Sequence, residues 1–143
     1  ASKFIIGSGK NYIQFVHVQD VVQAFLKALD APASIHGTYI ITQARPYTYE
    51  EVYRVLASIF QQPEPRWRLR KGLAKLMMLP IESFNALIGR ENFLYRRETV
   101  ESVTSDRAFS IERARKDLGY EPEYDLPEGM AETVAWYREN GHL

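Results

Sequence analysis

Apolar residues recur along this chain with the spacings of short strands and amphipathic helices. Two strand-like runs, residues 3–6 and 12–18, flank a polar stretch at 7–11 that contains Gly7, Gly9 and Asn11. Because Gly and Asn accept the positive φ angles of tight turns, this arrangement predicts a β-hairpin. Further runs at 38–42 and 66–70 are rich in β-branched or alternating residues and predict two more strands.

Helices are predicted where apolar residues recur at intervals of three, four and seven. The first begins at Asp20 and carries Val22, Phe25, Leu26 and Leu29 on one face. An acidic side chain in its first turn suits the positive end of the helix dipole. This face is therefore expected to pack inward.

Two capping boxes are expected to start later helices, Thr48 with Glu51 and Asp125 with Glu128. The apolar stretch 73–88 is predicted to form two short helices meeting at Pro80. Another helix is predicted over 97–103, and one is capped by Ser110 and ends at Gly119. The side chains expected to face inward in the second and last helices are Val52, Val55, Leu56, Ile59, Phe60, Met130, Val134 and Tyr137.

These elements predict a single α+β domain over residues 1–143, with short strands packed against five or six helices. The composition, with 45% hydrophobic and 25% charged residues, is typical of a globular domain. The chain opens without Met almost directly in a strand, which favours a domain taken from a longer protein.

The charge balance and the absence of cysteine limit the partners and reactive groups that this chain can have. Lys plus Arg and Asp plus Glu both number 18, and this balance disfavours a nucleic-acid partner. There is no cysteine, so disulfides, thiolate metal ligands and thiol nucleophiles are excluded, and a cytoplasmic location is compatible with the sequence.

Few residues have the spacing of a catalytic motif. The loop Gly7-Ser8-Gly9 leads into a strand, so it is interpreted as a turn and not as a phosphate-binding loop. The histidines have no metal-ligand spacing, and His17 is expected in mid-strand as a hydrogen-bonded core residue. No GxSxG elbow occurs, and no tyrosine is followed four positions later by lysine, as a dehydrogenase YxxxK pair requires. The chain alone is therefore not expected to transfer hydride.

Each of three basic or apolar stretches can be interpreted in more than one way. Trp67 among the basic residues of 66–71 suits a strand with a solvated face better than a nucleic-acid site. The stretch 73–88 suits a cover over an apolar ligand or a core helix, with attachment to a membrane surface as the lesser alternative. Tyr95, Arg96 and Arg97 suit an anionic ligand group and surface ion pairs equally well.

Two segments together resemble a known family. They are FIIGSGKNYIQFVHVQDVVQAF at 4–25 and TSDRAFSIERARKDLGYEPEYDLPEGMAETVAWYREN at 104–140. They resemble the C-terminal region of the extended short-chain dehydrogenases, the NAD-dependent epimerase/dehydratase group. Within that group the chain looks most like the 3β-hydroxysteroid or sterol dehydrogenase-like branch.

The resemblance implies that this chain is one part of a longer protein, here called the parent protein, whose two parts have separate roles. An N-terminal Rossmann domain of the same chain would bind NAD or NADP and supply the catalytic Ser or Thr, Tyr and Lys. The present chain would form the opposite wall of the cleft for a small-molecule substrate. No catalytic residue, cofactor or metal is then expected in this chain itself.

The resemblance also implies which residues line the cleft. In the related sugar-nucleotide epimerases the strand begins Arg-Asp-Tyr, where this chain has Ile13, Gln14 and Phe15. Alternation places Ile13, Phe15 and His17 on one face of that strand. Since a buried diphosphate needs a charged partner, the exchange of arginine for Ile13 favours an apolar hydroxyl or keto substrate such as a sterol.

Two other functions stay open. A nucleotide-sugar epimerase or dehydratase would need diphosphate-binding arginines, and Arg96 or Arg97 beside Tyr95 could serve. A non-catalytic ligand-binding or interaction module on a dehydrogenase scaffold is the third hypothesis. A domain without its Rossmann half would also expose apolar surface, which favours a homodimer.

Overall fold

A computed structural model describes residues 4–32, 35–87 and 97–143, with only the backbone for 81–87 and 97. The described elements are four short strands and six helices. In chain order they are β1 (Phe4–Ile6), β2 (Tyr12–Ile13), α1 (Val18–Asp30), β3 (Tyr47–Thr48), α2 (Tyr49–Ile59), β4 (Trp67–Leu69), α3 (Lys71–Leu87), α4 (Arg97–Thr104), α5 (Glu112–Leu118) and α6 (Leu126–Glu139). The α+β class expected from the sequence is confirmed.

The predicted hairpin between the first two strands is wrong. β1 pairs in parallel with β4, whereas β2 pairs antiparallel with β3. Gly7 and Gly9, with φ of +77° and +70°, turn the chain from one pair to the other. The Gly7 N–H donates to the Leu69 carbonyl, and the Gly9 carbonyl accepts from the Glu50 N–H. Distant backbone partners therefore compete successfully with the local turn.

Two predicted strands are shorter than expected or absent. The run predicted at 12–18 is a strand only at Tyr12–Ile13, and 14–17 is irregular. The run at 38–42 forms no strand ladder with the described residues. It is nonetheless tied to the first run, because the Phe15 carbonyl accepts from the Gln43 N–H at 2.9 Å and from the Thr42 hydroxyl at 2.5 Å.

Helix ends follow the local sequence closely. The Thr48 hydroxyl accepts from the Glu51 N–H, and the Glu51 carboxylate accepts from the Thr48 N–H, so the first capping box is confirmed. α5 ends at Gly119 in the left-handed conformation, as predicted. Asp125 is the N-cap of α6 and accepts from the Leu126 N–H, but the described residues do not form the second capping box that was predicted with Glu128.

The break predicted at Pro80 is wrong, because α3 continues through Pro80 to Leu87. Proline removes the hydrogen bond to the carbonyl four residues earlier, which belongs to Leu76. Both Leu76 and Pro80 are exposed, so water can satisfy that carbonyl.

Two apolar clusters form much of the buried interior. One comprises Ala24, Ile111, Ala114 and Tyr120, with Tyr39 and Ile41 against it. We call it the Tyr120 cluster. The other comprises Tyr47, Val52 and Leu126, with Ile13, Phe15, Val55, Leu56 and Met130 against it. We call it the Tyr47 cluster. In α6, Val134 is buried as expected, whereas Tyr137 is 44% exposed.

The face of α1 predicted to pack inward lies instead in solvent. Phe25 and Leu29 are 68% and 80% exposed, and Val22 and Leu26 are also exposed. The buried residues of α1 are Asp20 and Ala24. The helix therefore packs through a narrow side and leaves its widest apolar face without cover among the described residues.

Candidate functional site

A cavity of about 80 Å³ lies between the irregular segment 14–17 and the start of α6. Its lining includes two of the residues predicted to face substrate, Phe15 and His17. The other residues of the wall are Val16, Gln43, Tyr124, Asp125, Leu126, Gly129, Met130 and Thr133. We call it the Gln43 pocket.

His17 occupies the N-cap of α1, not the mid-strand position predicted for it. Its Nδ1 accepts a long hydrogen bond of 3.4 Å from the Gln19 N–H. Its ring stacks on Tyr124 with centroids 3.9 Å apart, and its Nε2 lies 3.9 Å from a Glu132 carboxylate oxygen. A side chain at Gly129 would stand 3.3 Å from the His17 ring, so glycine at this position lets α6 approach closely. These contacts hold the imidazole in one orientation.

Gln43 contributes a buried amide group that has no partner for its nitrogen among the described residues. The residue is 3% exposed, and its amide nitrogen forms no hydrogen bond to the described residues. Leaving such a donor unpaired costs about 1–3 kcal/mol, so the amide is suited to a water or to a ligand oxygen. The neighbouring Gln14 is engaged: its amide nitrogen donates to the Gln43 carbonyl at 3.3 Å, and its oxygen accepts from the Phe109 N–H at 2.5 Å.

Asp125 lies in the wall of the pocket, and one of its carboxylate oxygens, Oδ1, already has two donors. It accepts from the Leu126 N–H and from the Tyr47 hydroxyl. Burial, together with the Asp125 carboxylate, raises the pKa of Tyr47 to about 12, and the Arg45 guanidinium 3.5 Å above the ring opposes that rise. The phenol is therefore protonated at neutral pH and acts as a donor, not as a general base.

Tyr120 is likewise held as a donor. It is fully buried, and its hydroxyl donates to the Thr42 carbonyl at 3.1 Å. Burial and the nearby carboxylates of Asp20 and Glu121 raise its pKa to about 12. Neither this tyrosine nor Tyr47 has the lowered pKa expected of a phenol that exchanges protons with substrate.

The predicted site residues fall into three groups. Phe15 and His17 line the Gln43 pocket, whereas Ile13 and Gln14 lie outside its wall. Ile13 and Phe15 are half-buried against the Tyr47 cluster. Tyr95 and Arg96 lie outside the described residues, and only the backbone of Arg97, the first residue of α4, is described.

One cation that sequence reasoning missed lies close to this region. The Arg107 N–H donates to the Tyr12 carbonyl at 2.8 Å, and its charge lowers the pKa of Tyr49, although burial raises that pKa overall. Arg107 is exposed. It stands 95 positions from Tyr12 along the chain, so nothing in the local pattern linked the two.

The described part of the chain has no group of three or more His, Cys, Asp or Glu side chains placed to hold a metal ion. None of its helices has the length and apolarity needed to cross a membrane.

No known protein-family model matches the sequence. Similar curated proteins do exist. Short-chain dehydrogenase/reductase family 42E member 1 is 31% identical in Bos taurus and 30% identical in Homo sapiens, over 98% of this chain in each case. The 3beta-hydroxysteroid-dehydrogenase/decarboxylase isoform 3 of Arabidopsis thaliana is 26% identical over 95% of it. The chain spans 37% of the length of each of the first two relatives and 25% of the third.

Solved structures share the fold at lower identity. A protein named gox2253 superposes with a TM-score of 0.70 at 23% identity, over 99% of this chain and 41% of its own. UDP-glucose 4-epimerase from Thermotoga maritima superposes with a TM-score of 0.61 at 20% identity, over 96% of this chain and 35% of its own. UDP-glucuronic acid 4-epimerase from Bacillus cereus, solved with NAD, gives 0.60 at 16% identity over 96% and 34%.

Proposed function

Since the chain belongs to the extended short-chain dehydrogenases, in their 3β-hydroxysteroid dehydrogenase-like branch, we propose that it is the substrate-binding part of an NAD- or NADP-dependent oxidoreductase. The observation that carries this proposal is the apolar character of Ile13 and Phe15. Ile13 and Phe15 are half-buried against the Tyr47 cluster and offer no charge to an anionic substrate. A hydroxyl or keto compound with an apolar body, such as a sterol, is the substrate class that fits.

The cofactor would be held elsewhere in the parent protein. The Gly7-Ser8-Gly9 turn leads into β2 and not into a helix, so it presents no helix N-terminus to a pyrophosphate. The residues of this loop therefore do not fit a dinucleotide. We assign the chain no step in the transfer of hydride.

The exposed face of α1 supports a second part of the proposal, docking on an N-terminal Rossmann domain of the same protein. Phe25 and Leu29 are more than two-thirds exposed, and a cavity of about 240 Å³ opens beside Phe25, Tyr39 and Ile41. An apolar face of this size usually marks an interaction surface. The cytoplasmic location expected from the cysteine-free sequence is part of the same proposal.

The substrate class can be tested in the intact native protein with Ile13→Arg. An unpaired cation at a half-buried position disfavours an apolar ligand, so kcat/KM for an apolar secondary alcohol should fall about 100-fold. Ile13→Val keeps the position apolar and is the matched control. Both variants need an unchanged thermal midpoint for the comparison to hold. Equal kcat/KM in the two folded variants would show that this segment does not face substrate.

A nucleotide-sugar epimerase is the second candidate, because the backbone of Arg107 is hydrogen-bonded to β2 and its exposed side chain carries a positive charge that acts on Tyr49. Titration of a UDP-sugar into the intact protein separates the two. Saturable binding that is lost in Arg107→Ala or Arg97→Ala would favour this candidate. Binding unaffected by both variants, or absent altogether, would count against it.

A further inference from the structure

The main chain of Gln43 is fixed on both sides, whereas the end of its side chain is not. Its N–H donates to the Phe15 carbonyl at 2.9 Å, and its own carbonyl accepts from the Gln14 amide at 3.3 Å. Its side-chain nitrogen is buried and forms no hydrogen bond to the described residues. The last side-chain bond of glutamine has a broad rotational preference. A rotation about it can therefore turn this nitrogen toward the Gln43 pocket without breaking any hydrogen bond that the nitrogen donates.

The size of the Gln43 pocket limits what can enter it. Its volume is about 80 Å³. A cavity of about 150 Å³ in an apolar interior holds one benzene ring, so the pocket takes a group of roughly three or four non-hydrogen atoms. Phe15, Leu126 and Met130 give the wall an apolar part that can receive carbon atoms. The pocket therefore fits only the end of a larger substrate, and that end contains both carbon and an acceptor for the Gln43 nitrogen.

The charges around the pocket favour a neutral group over an anionic one. Asp125 is part of the wall, and a Glu132 carboxylate oxygen lies 3.9 Å from the Nε2 atom of His17. The wall has no Lys or Arg among its described residues. A carboxylate or phosphate in the pocket would thus be desolvated next to like charge and without a fixed cation, which is costly. The acceptor is therefore expected to be an uncharged oxygen.

We propose that Gln43 is a specificity-determining residue, which donates a hydrogen bond to a keto or hydroxyl oxygen at the end of the substrate remote from the reacting carbon. This inference rests on the proposed function, because it takes the substrate to be an apolar hydroxyl or keto compound, and it adds a second oxygen to that compound. A substrate without this oxygen leaves the Gln43 nitrogen unpaired. Sites built to hydrogen-bond a substrate group reject analogues that lack the group.

The test compares two polycyclic secondary alcohols as substrates of the intact native protein. One has a keto group on the ring furthest from the hydroxyl, and the other has a methylene group in its place. The wild type is expected to turn over the keto alcohol with a kcat/KM about tenfold higher, since one net hydrogen bond contributes about that factor.

Variants of Gln43 should change this preference in a defined way. Gln43→Met keeps the length of the side chain and removes the donor, so kcat/KM should fall about tenfold for the keto alcohol and not for the methylene analogue. Gln43→Glu replaces the donor with a carboxylate and should lower the value for the keto alcohol further. Gln62→Met changes an exposed glutamine outside the pocket wall and is the matched control, which should keep the wild-type preference.

Thermal unfolding without substrate separates recognition from a structural role. Because the Gln43 nitrogen has no partner among the described residues, Gln43→Met should raise the thermal midpoint, by roughly 2–4 °C. A lower midpoint would mean that the amide is already bonded in the ligand-free protein, and the proposal would fail.

Two kinetic outcomes would also overturn the proposal. One is an equal kcat/KM of the wild type for the two alcohols, and the other is an equal loss for both alcohols in Gln43→Met. Failure of the proposed function has a different signature, because the wild type would then turn over neither alcohol. In that case the role of Gln43 would fall together with the substrate class.

Discussion

Single buried side chains connect parts of this chain that are far apart in sequence. Asp20 is 1% exposed, and its carboxylate accepts from the backbone N–H groups of Glu123 and Tyr124. Tyr120 reaches the Thr42 carbonyl in the same way. These residues join the segment before α6 to the first third of the chain.

Removal of the Tyr120 hydroxyl should reveal the strength of one such link. Tyr120→Phe deletes a fully buried donor, so the free energy of unfolding should fall by about 1–2 kcal/mol. Urea denaturation measures this loss. Tyr137→Phe is the control, because Tyr137 is 44% exposed, and its free energy of unfolding should change by less than about 0.5 kcal/mol. Equal effects in the two variants would contradict the role given to the buried bond.

The sequence indicated some residues of the candidate site and not others. Phe15 and His17 belong to the segment that alternation and resemblance singled out, and both line the Gln43 pocket. Gln43 and Tyr124 also line the pocket, but they belong to other segments of the chain than Phe15 and His17. No local sequence pattern marks either residue. Arg107 was missed for the same reason. A cavity wall assembled from distant segments leaves no periodic signal.

At the scale of elements, two signals carried by neighbouring residues were reliable. The capping box at Thr48 and the glycine cap at Gly119 depend on neighbouring residues, and both are confirmed. Strand pairing depends on partners elsewhere, so the hairpin predicted around Gly7 and Gly9 was wrong. The strand that pairs with β1 is β4, more than sixty positions away in sequence. For Pro80 the deciding factor was exposure, which sequence alone does not provide.

The contact between α3 and α4 should depend on pH. Hydrogen bonds from Lys71 and Lys75 lower the pKa of Glu101 from its usual 4.5 to about 2. A lowered pKa means that this contact contributes stability above about pH 4.5 and loses it as the pH falls toward 2. The protection of α3 amide protons, taken relative to their intrinsic exchange rate at each pH, should therefore fall on acidification across that range.

Glu101→Gln should remove this pH dependence of α3 protection, and the protection should already be lower at neutral pH. Glu98→Gln changes an exposed carboxylate of the same helix and serves as the control. The same acid-induced loss of protection in Glu101→Gln would show that another group is responsible.

At the scale of the whole molecule, apolar residues that should be inside lie on the surface. α1 carries Phe25 and Leu29 outward. If another domain covers them in the parent protein, the 143-residue chain alone should associate through them. This is the contact through which we expect a homodimer.

Sedimentation velocity of the 143-residue chain tests this expectation. Phe25→Ser with Leu29→Ser removes two large apolar side chains, each worth about 1.5–3 kcal/mol when fully buried, so association should weaken by at least about 100-fold. Phe109→Ser alters an exposed aromatic residue elsewhere and should leave the profile unchanged. A strictly monomeric wild-type chain at high concentration would contradict the prediction.

The bonds from Asp20 to the backbone at 123 and 124 have a consequence for biosynthesis. The carboxylate meets its two donors only after about a hundred further residues have left the ribosome. Until then it remains hydrated, and α1 has neither α5 nor the Tyr120 ring to pack against. Contacts between such distant positions slow folding, and they expose the nascent chain to aggregation meanwhile. During translation, then, α1 with its apolar face is an obvious segment for a chaperone to bind.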